Sequence, residues 1–390
     1  MTAKDSSTET LDLVKDRYAE GARTQVPELC CPVDYDASLL ELLPQEIIDR
    51  DYGCGDPSRF VSEGETVLDL GAGGGKICYM ASQLVGAKGK VIGVDATDEM
   101  LALSRKWQDP LAEKIGWHNT EFKHGQIQDL ALDRDKLGAW IAEHPVQGLG
   151  DMDKLQAEIA RLRREEPMIA DESVDLVLSN CVLNLVDNAE KDEMFREIHR
   201  VLKRGGRCAI SDIVCDEDVP AHLQDNPELW SGCISGAMRE DRFLDAFAKA
   251  GLYGVEIAVY QKEPWAIVEG IEFRSITVVA HKGKEGDCWD HNEAVIYNGP
   301  WKTVQDDDGH IFRRGERSAV CHKTFGIMNS APYAASITSV LPLTEVSSEA
   351  AGPFDCAGTR VRQPKETKLG AQRPDIAPGT DCCSTEADCC

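Results

Sequence analysis

The sequence predicts an α/β protein with a largely parallel sheet, followed by a smaller mixed domain and a disordered tail. Short apolar runs recur along the chain with helix-forming stretches between them, which is typical of βαβ units and predicts the parallel sheet. The helical alternation ends near Lys262, and beyond Leu343 the composition turns to Ser, Thr, Pro, Gly and charge. The 390 residues are long enough to bury a large apolar core.

Four segments follow from these observations. They are residues 1–40, an N-terminal helix and loop; 41–261, the α/β core; 262–342, a small C-terminal domain; and 343–390, a disordered Cys-rich tail. The tail has few large apolar residues, so burial cannot offset the entropy lost on ordering it. The N-terminal loop carries Cys30 and Cys31.

The strands are predicted at the apolar runs. In the core these are Val67–Leu70, Val91–Val94, Val174–Ser179, Arg207–Asp212 and Val255–Val259. In the small domain they are Ile276–Ala280, Ala294–Tyr297 and Ala319–His322. The charged stretch Asp133–Pro167 between the second and third core strands favours helix, so we expect it to leave the sheet.

The charge excludes some classes of partner. The 42 basic and 68 acidic residues give a net charge of −26, and this field opposes binding of a polyphosphate such as nucleic acid. The polar N-terminus lacks the apolar run of a signal peptide, and no segment has the ~18 apolar residues of a membrane helix. We therefore expect a cytoplasmic protein that binds neither nucleic acid nor membrane.

The most informative motif is the stretch VLDLGAGGGK, residues 67–76, which runs from a predicted strand through glycines into a helix. A P-loop requires four residues between its two glycines, whereas Gly71 and Gly75 enclose three. A dinucleotide-binding loop requires a third glycine at an offset that Gly71 and Gly73 do not provide. A tight turn with no ligand is the structural alternative.

Two acidic residues beside this loop favour S-adenosylmethionine instead. Asp69 precedes Gly71 by two residues, which suits a ligand that brings an ammonium group rather than a pyrophosphate. Asp95 ends the next strand, near the roughly 20-residue offset expected of a carboxylate that binds ribose hydroxyls. Together they predict a cofactor site at this edge of the sheet.

The chain has 15 cysteines, and three of them belong to suggestive segments. Cys54 lies in a turn-rich segment before the first core strand, Cys181 follows the third, and Cys233 lies in a small-residue segment. Because ligands bind at the carboxyl edge of open α/β sheets, we expect these thiols to converge there. The alternatives are burial as small apolar side chains, which we expect for Cys78 and Cys208, and a zinc site, for which no Cys-x-x-Cys pair is present.

The cysteine segments also carry a family resemblance over about residues 29–325. The chain resembles the arsenite S-adenosylmethionine methyltransferases, which belong to the class I superfamily with its Rossmann-like core. The matching motifs are CCP (residues 30–32), DYGCG (51–55), DLGAGGGK (69–76), SNCVLNLV (179–186) and WSGCISGA (230–237).

The resemblance implies which residues act. It implies S-adenosylmethionine as co-substrate, with arsenite and methylated trivalent arsenicals as acceptors. The functional cysteines are implied to be Cys30 or Cys31, Cys54, Cys181 and Cys233, with Cys54, Cys181 and Cys233 as As(III) ligands. The cofactor is expected to contact Tyr52, Asp69, Gly71, Gly73, Gly75, Asp95 and Asn180.

Soft trivalent arsenic prefers thiolates, and methylation oxidises it, so thiols must return electrons. We expect Cys54 and the Cys30/Cys31 loop to do so by forming a disulfide, which thioredoxin or glutathione then reduces. Two other functions stay open: methylation of a small organic acceptor such as a quinone precursor, and non-catalytic buffering of a metalloid by thiols.

Overall fold

The computed structural model describes residues 16–23, 33–226, 229–230, 232–358 and 360–368. The chain divides into two compact units, residues 1–284 and 285–390. Residues 16–23 are helical, within the predicted N-terminal helix, whereas Cys30 and Cys31 lie outside the described residues. No helix among the described residues is both long enough and apolar enough to span a bilayer.

The first unit is built on a nine-stranded sheet that confirms the predicted α/β class. Its path has the order β3-β2-β1-β4-β5-β9-β7, while β6 pairs with β5 and β8 with β9. The strands are β1 (Thr66–Leu70), β2 (Lys90–Asp95), β3 (Thr120–His124), β4 (Val174–Asn180), β5 (Leu202–Cys215), β6 (Met238–Arg239), β7 (Tyr253–Tyr260), β8 (Ala266–Val268) and β9 (Ile271–His281). Strands β1 to β5 pair with one another in parallel, and β9 is antiparallel to both β5 and β7.

Strand β9 lies beyond the domain boundary expected at 261/262, yet it belongs to the sheet of the first unit. This strand pairs with β5 along nine residues, from Arg207 opposite His281 to Cys215 opposite Phe273. It therefore completes the sheet of the first unit, and the division falls after Lys284. The sequence suggests an earlier boundary because an antiparallel strand needs no crossover helix, so the helical alternation ends before the sheet does.

Helices cover both faces of this sheet. Besides the helical residues 16–23, the helices described in the first unit include α1 (Ala37–Leu40), α2 (Gln45–Asp49), α3 (Lys76–Val85), α4 (Asp98–Ile115), α5 (Arg134–Glu143), α6 (Leu149–Glu165), α7 (Lys191–Val201), α8 (Ala221–Gln224) and α9 (Glu240–Lys249). Because side chains alternate along a strand, Val67 packs with α3 while Leu68 packs with α7 and α9. On the α7 and α9 side of the sheet, the ring centroids of Phe195 and Phe247 lie 4.9 Å apart in an edge-to-face arrangement.

The stretch Asp133–Pro167 forms α5 and α6, so the predicted departure from the sheet is correct. Among the residues of α6, only Leu162 is buried, and Arg163 forms an ion pair with Asp129 at 2.7 Å. The preceding strand β3 was not predicted. Its sequence, TEFKH, is mostly polar and only Phe122 is buried, as suits a strand at the edge of a sheet.

The second unit contains a four-stranded sheet of order β15-β11-β14-β17 and two strand pairs, β10-β16 and β12-β13. Its elements are β10 (Trp289–Asp290), β11 (Ala294–Tyr297), β12 (Thr303–Gln305), β13 (Ile311–Arg313), β14 (Arg317–Ala319), α10 (His322–Met328), β15 (Ile337–Val340), β16 (Gly352–Pro353), β17 (Arg360–Val361) and α11 (Pro364–Thr367).

Two predictions made from the sequence differ from the structure of this unit. The strand predicted at Ala319–His322 ends at Ala319, because the side chain of Cys321 accepts the Thr324 N–H and starts α10. In the stretch predicted as disordered, β17 pairs with β14 and Arg362 is only 1% exposed. Residues 369–390 lie outside the described residues, so the tail prediction stays untested there.

Candidate active site

The glycine loop joins β1 to α3 and requires glycine for its backbone. Gly71, Gly73 and Gly75 have φ values of 70°, 52° and 89°, in the left-handed region that side chains disfavour. A Cβ on Gly71 would lie 2.5 Å from the side chain of Val182. The loop therefore places backbone at the carboxyl edge of the sheet, where open α/β folds bind ligands.

Asp69 lies near the end of β1 and is 2% exposed. Burial raises the pKa of its carboxyl to about 7, even though the Cys78 thiol donates a hydrogen bond to Oδ2 at 3.2 Å. No lysine or arginine forms an ion pair with Asp69 within the part of the chain that the structure describes. A buried carboxylate in this position fits a cationic ligand such as the ammonium group of S-adenosylmethionine.

Asp95 ends β2, the strand beside β1. Its Oδ2 accepts the N–H of Gly73 at 2.8 Å, and its Oδ1 accepts the N–H of Thr97 at 2.8 Å. Burial raises the pKa of this carboxyl as well. Asp95 thus connects the glycine loop to the end of the second strand, and its chemistry suits the hydroxyls of a ribose.

Tyr52 packs against the N-terminal helical segment, residues 16–23. Its hydroxyl donates to the carbonyl oxygen of Gly21 at 3.0 Å, and its ring meets Tyr18 edge to face at 6.1 Å. Tyr52 shares a small buried cluster with Ala22 and Met100. Its predicted contact with the cofactor stays a prediction.

Asn180, the last residue of β4, holds the loop that carries Cys54. Its Oδ1 accepts the N–H groups of Cys54 at 2.8 Å and Gly55 at 3.0 Å, and its Nδ2 donates to the Gly55 carbonyl at 2.7 Å. A Cβ on Gly53 would lie 2.1 Å from Nδ2, so this loop approaches Asn180 closely. These bonds show a positioning contact, whereas the contact predicted with the cofactor is not tested by them.

Cys54 and Cys181 form a disulfide, although they are 127 positions apart. The expected partner of Cys54 was the Cys30/Cys31 loop, which lies outside the described residues. Cys181 has a φ of 59°, an uncommon value for a residue other than glycine. Both sulfurs and a carboxylate oxygen of Asp212 lie within 4.8 Å of one another.

Cys233 lies against this disulfide. Its Sγ donates to the carbonyl oxygen of Cys181 at 3.5 Å, and its φ of 63° is also left-handed. The three cysteines are 5–6% exposed and share an apolar cluster with Ile213 and Phe273. The fold therefore brings together three thiol positions from separate chain regions in a site shielded from water.

Sequence reasoning missed the buried charges next to these cysteines. Asp212 lies in β5 and accepts the N–H of Leu183 at 2.8 Å and Nδ2 of Asn184 at 2.8 Å. Burial raises the pKa of Asp212 to about 6 and lowers the pKa of Lys191 to about 8. The signal in the sequence was an aspartate at the end of a predicted strand, Arg207–Asp212.

Tyr18 was also missed as a site residue. The Tyr18 side chain hydrogen-bonds with Cys233, and burial, together with the nearby Cys233 and Asp212, raises the pKa of the Tyr18 hydroxyl. The N-terminal helical segment therefore contacts both the cysteine cluster and, through Gly21, Tyr52. The sequence predicted an N-terminal helix but contained no pattern that linked this helix to the sheet edge.

Comparison with known families agrees with this architecture. Residues 61–169 and 164–251 match a family described as a methyltransferase domain, and residues 284–372 match one described as a domain of unknown function. A solved structure, an arsenic(III) S-adenosylmethionine methyltransferase from Chlamydomonas reinhardtii, superposes with a TM-score of 0.51. It is 27% identical in sequence, over 82% of this chain and 98% of that one.

Named relatives cover most of the chain. The arsenite methyltransferase of Aquipseudomonas alcaligenes is 31% identical over 76% of this chain and 79% of its own length. That of Halobacterium salinarum is 33% identical over 66% and 61%, and the human one 29% identical over 90% and 88%. Identity of this extent, on the class I sheet described above, shows that the chain belongs to the arsenite methyltransferase family of S-adenosylmethionine-dependent transferases.

Proposed function

We propose that this protein transfers a methyl group from S-adenosylmethionine to trivalent arsenic bound by the thiolates of Cys181 and Cys233, with Cys54 as a third ligand. The substrates are arsenite and its methylated trivalent products. The observation that carries the proposal is the convergence of these three cysteines at the carboxyl edge of the sheet. The family to which the chain belongs supports the same substrate.

Thiolates suit this substrate because trivalent arsenic is soft. Each thiol that binds arsenous acid loses its proton, which leaves as water with one arsenic-bound hydroxyl. The bound arsenic is pyramidal and keeps its lone pair, so the lone pair itself is the nucleophile and no general base is required. The apolar cluster around Cys181 and Cys233 excludes water from this position.

The fold supplies a separate set of groups for the methyl donor. S-adenosylmethionine provides the methyl group as an electrophile on a positively charged sulfur. Asp69 would hold its ammonium group, Asp95 its ribose hydroxyls, and the loop Gly71–Gly75 would allow close approach of the backbone. Holding donor and acceptor at one edge of the sheet accelerates transfer through proximity alone.

Methylation raises arsenic from the trivalent to the pentavalent state, so two electrons must return to it before the next cycle. Two thiolates can supply them by forming one disulfide. We propose that the Cys54–Cys181 disulfide is this oxidised state, in addition to the expected exchange with the Cys30/Cys31 loop. Thioredoxin or glutathione would then reduce it, in a reducing compartment such as the cytoplasm.

The test is methylation of arsenite by the full chain with S-adenosylmethionine and thioredoxin, followed by chromatographic separation of the arsenic species. Cys181→Ser and Cys233→Ser are each expected to abolish every methylation step, whereas S-adenosylmethionine binding is retained. Cys208→Ala is the matched control, because Cys208 is buried in the same sheet and its thiol donates to the Ala280 carbonyl at 3.6 Å, away from the three clustered cysteines. Near-normal turnover of monomethylated arsenic by either serine variant would contradict the proposed pair of ligands.

A further inference from the structure

A second cluster of thiols lies in the C-terminal unit, within the region that matches a domain of unknown function. The sulfur atoms of Cys288, Cys321 and Cys356 all lie within 4.8 Å of one another. All three are free thiols in the structure. They are separated by more than 30 residues in each case, so only the tertiary fold brings them together.

Strand pairing places two of these cysteines. Cys288 directly precedes β10 and Cys356 follows β16, and the two strands pair with Trp289 opposite Pro353. The N–H of Phe354 donates to the carbonyl oxygen of Cys288 at 2.8 Å, which extends the pairing toward the thiols. Cys288 and Cys356 are half-buried, so the cluster is open to small solutes.

The third cysteine comes from the start of α10. Cys321 is fully buried, and its sulfur accepts the backbone N–H of Thr324 at 3.4 Å and lies 3.2 Å from the Thr324 hydroxyl. Hydrogen bonds of this kind stabilise a thiolate, which is the form that binds soft ions. The cluster is thus a set of three sulfur donors, one of which is already surrounded by hydrogen-bond donors.

We propose that Cys288, Cys321 and Cys356 form a second binding site for trivalent arsenic, coordinated by three sulfurs. A structural zinc site takes four protein ligands, and among the described residues the cluster offers three. Trivalent arsenic takes three sulfurs and keeps a lone pair in the fourth direction, so it matches this donor set. The choice of arsenic over other soft ions rests on the proposed function, because that function brings arsenite to the protein.

Binding at this site is an exchange of ligands without electron transfer. Arsenous acid carries three hydroxyl groups, and each thiol forms one As–S bond while its proton leaves with one hydroxyl as water. Three water molecules are released, and arsenic stays trivalent. The site therefore requires neither S-adenosylmethionine nor a reductant once its thiols are reduced.

The first experiment uses the unmodified full chain. Reduced protein is treated with a maleimide in the presence or absence of arsenite, and alkylation of each cysteine is followed by peptide mass spectrometry. Arsenite is expected to slow alkylation of Cys288, Cys321 and Cys356 together by at least about tenfold, since an arsenic-bound thiolate is no longer a free nucleophile. Equal alkylation rates with and without arsenite would overturn the proposal.

The second experiment measures arsenic bound per chain by elemental mass spectrometry after removal of excess arsenite. The combined variant Cys288→Ser, Cys321→Ser and Cys356→Ser is expected to bind one equivalent less than the unmodified chain, and Cys208→Ala, the control, the same amount. Unchanged binding in the triple variant would overturn the proposal. One equivalent of zinc that co-purifies with the unmodified chain, and is missing from the triple variant, would also overturn it.

These results separate the site from the proposed function. If the full chain does not methylate arsenite but arsenite still protects the three cysteines, the proposed function fails and the second site stands. If methylation proceeds normally and arsenite does not protect the three cysteines, the second site fails and the proposed function stands. X-ray absorption at the arsenic edge on the Cys54→Ser, Cys181→Ser, Cys233→Ser variant is expected to show three sulfur neighbours.

Discussion

Cys54 and Cys181 are joined by a disulfide that connects the loop before β1 to the residue after β4. The bond occupies two of the three sulfurs that we assign to arsenic, so this form of the protein cannot bind arsenic at Cys181. The same loop is held by Asn180, whose side chain bonds to the backbone of Cys54 and Gly55. The disulfide and the side chain of Asn180 hold the same loop, so the redox state of Cys54 and the position of its loop are coupled.

We predict that the oxidised protein, with the Cys54–Cys181 disulfide intact, does not methylate arsenite until it is reduced. A single turnover with S-adenosylmethionine and arsenite, with and without prior treatment by thioredoxin, measures this. S-adenosylmethionine affinity is expected to be equal in both forms, because among the described residues Asp69 bonds to Cys78 and Asp95 to Gly73 and Thr97, not to either cysteine of the disulfide. Methylation at the same rate before and after reduction would remove this disulfide from the cycle.

Asn180→Ala is expected to lower kcat for arsenite by roughly tenfold to a hundredfold, because several hydrogen bonds of about 0.5–1.5 kcal/mol each would be lost from the Cys54 loop. Asn180→Asp keeps an acceptor for the two N–H groups and should recover part of the rate. Calorimetry with S-adenosylmethionine gives the second measurement. A loss of cofactor affinity that matches the loss of rate would instead show that Asn180 contacts the cofactor.

The raised pKa of Asp69 predicts how cofactor binding depends on pH. Burial raises this pKa to about 7, and a cationic ligand binds only the ionised form. The affinity for S-adenosylmethionine should therefore fall about tenfold for each pH unit below about 7. Calorimetry across this range tests it, and Asp69→Asn should bind weakly with no such dependence. An unchanged pH profile in Asp69→Asn would refute the assignment.

The same group affects stability. Because the pKa of Asp69 in the folded protein, about 7, lies above its ordinary value of 3.8, the folded state binds the proton more tightly than the unfolded chain. Its contribution to the free energy of unfolding is complete below about pH 4 and is lost as pH rises through about 7. The Asp69→Asn variant should gain stability relative to the parent at pH 8 but not at pH 4.

Arg362→Ala is expected to destabilise the C-terminal unit by about 3–5 kcal/mol, the range for breaking a buried ion pair by removing one partner. Arg362 is 1% exposed, and its Nη2 donates to Oδ1 of Asp290 at 2.7 Å. Arg360→Ala is the control, because the Arg360 side chain is 55% exposed and pairs with Glu366 at the surface. Scanning calorimetry of the full chain measures both. Equal melting temperatures of the two variants would mean that residues 360–368 contribute little to the stability of this unit.

The sequence predicted the core of the fold because its strands are apolar runs and its helices are amphipathic. The glycine loop and the acids Asp69 and Asp95 were predictable for a related reason, since the carboxyl ends of neighbouring parallel strands meet at one edge. The edge strand β3 was not predictable in this way, because its polar sequence shows no distinct alternation of apolar and polar residues. The end of the sheet at β9 was also placed too early, since antiparallel pairing needs no helix between strands.

By itself the sequence determined the α/β class, the residues of the loop and the three cysteine-bearing segments, because these depend on local patterns and on short motifs. Only the tertiary structure decided that Cys54 pairs with Cys181, that Asp212 is buried beside them with Lys191 near Cys233, and that Cys288, Cys321 and Cys356 meet. The physical reason is sequence distance. A thiol or carboxylate has no pattern that names a partner a hundred residues away, so the packing of strands and helices selects that partner.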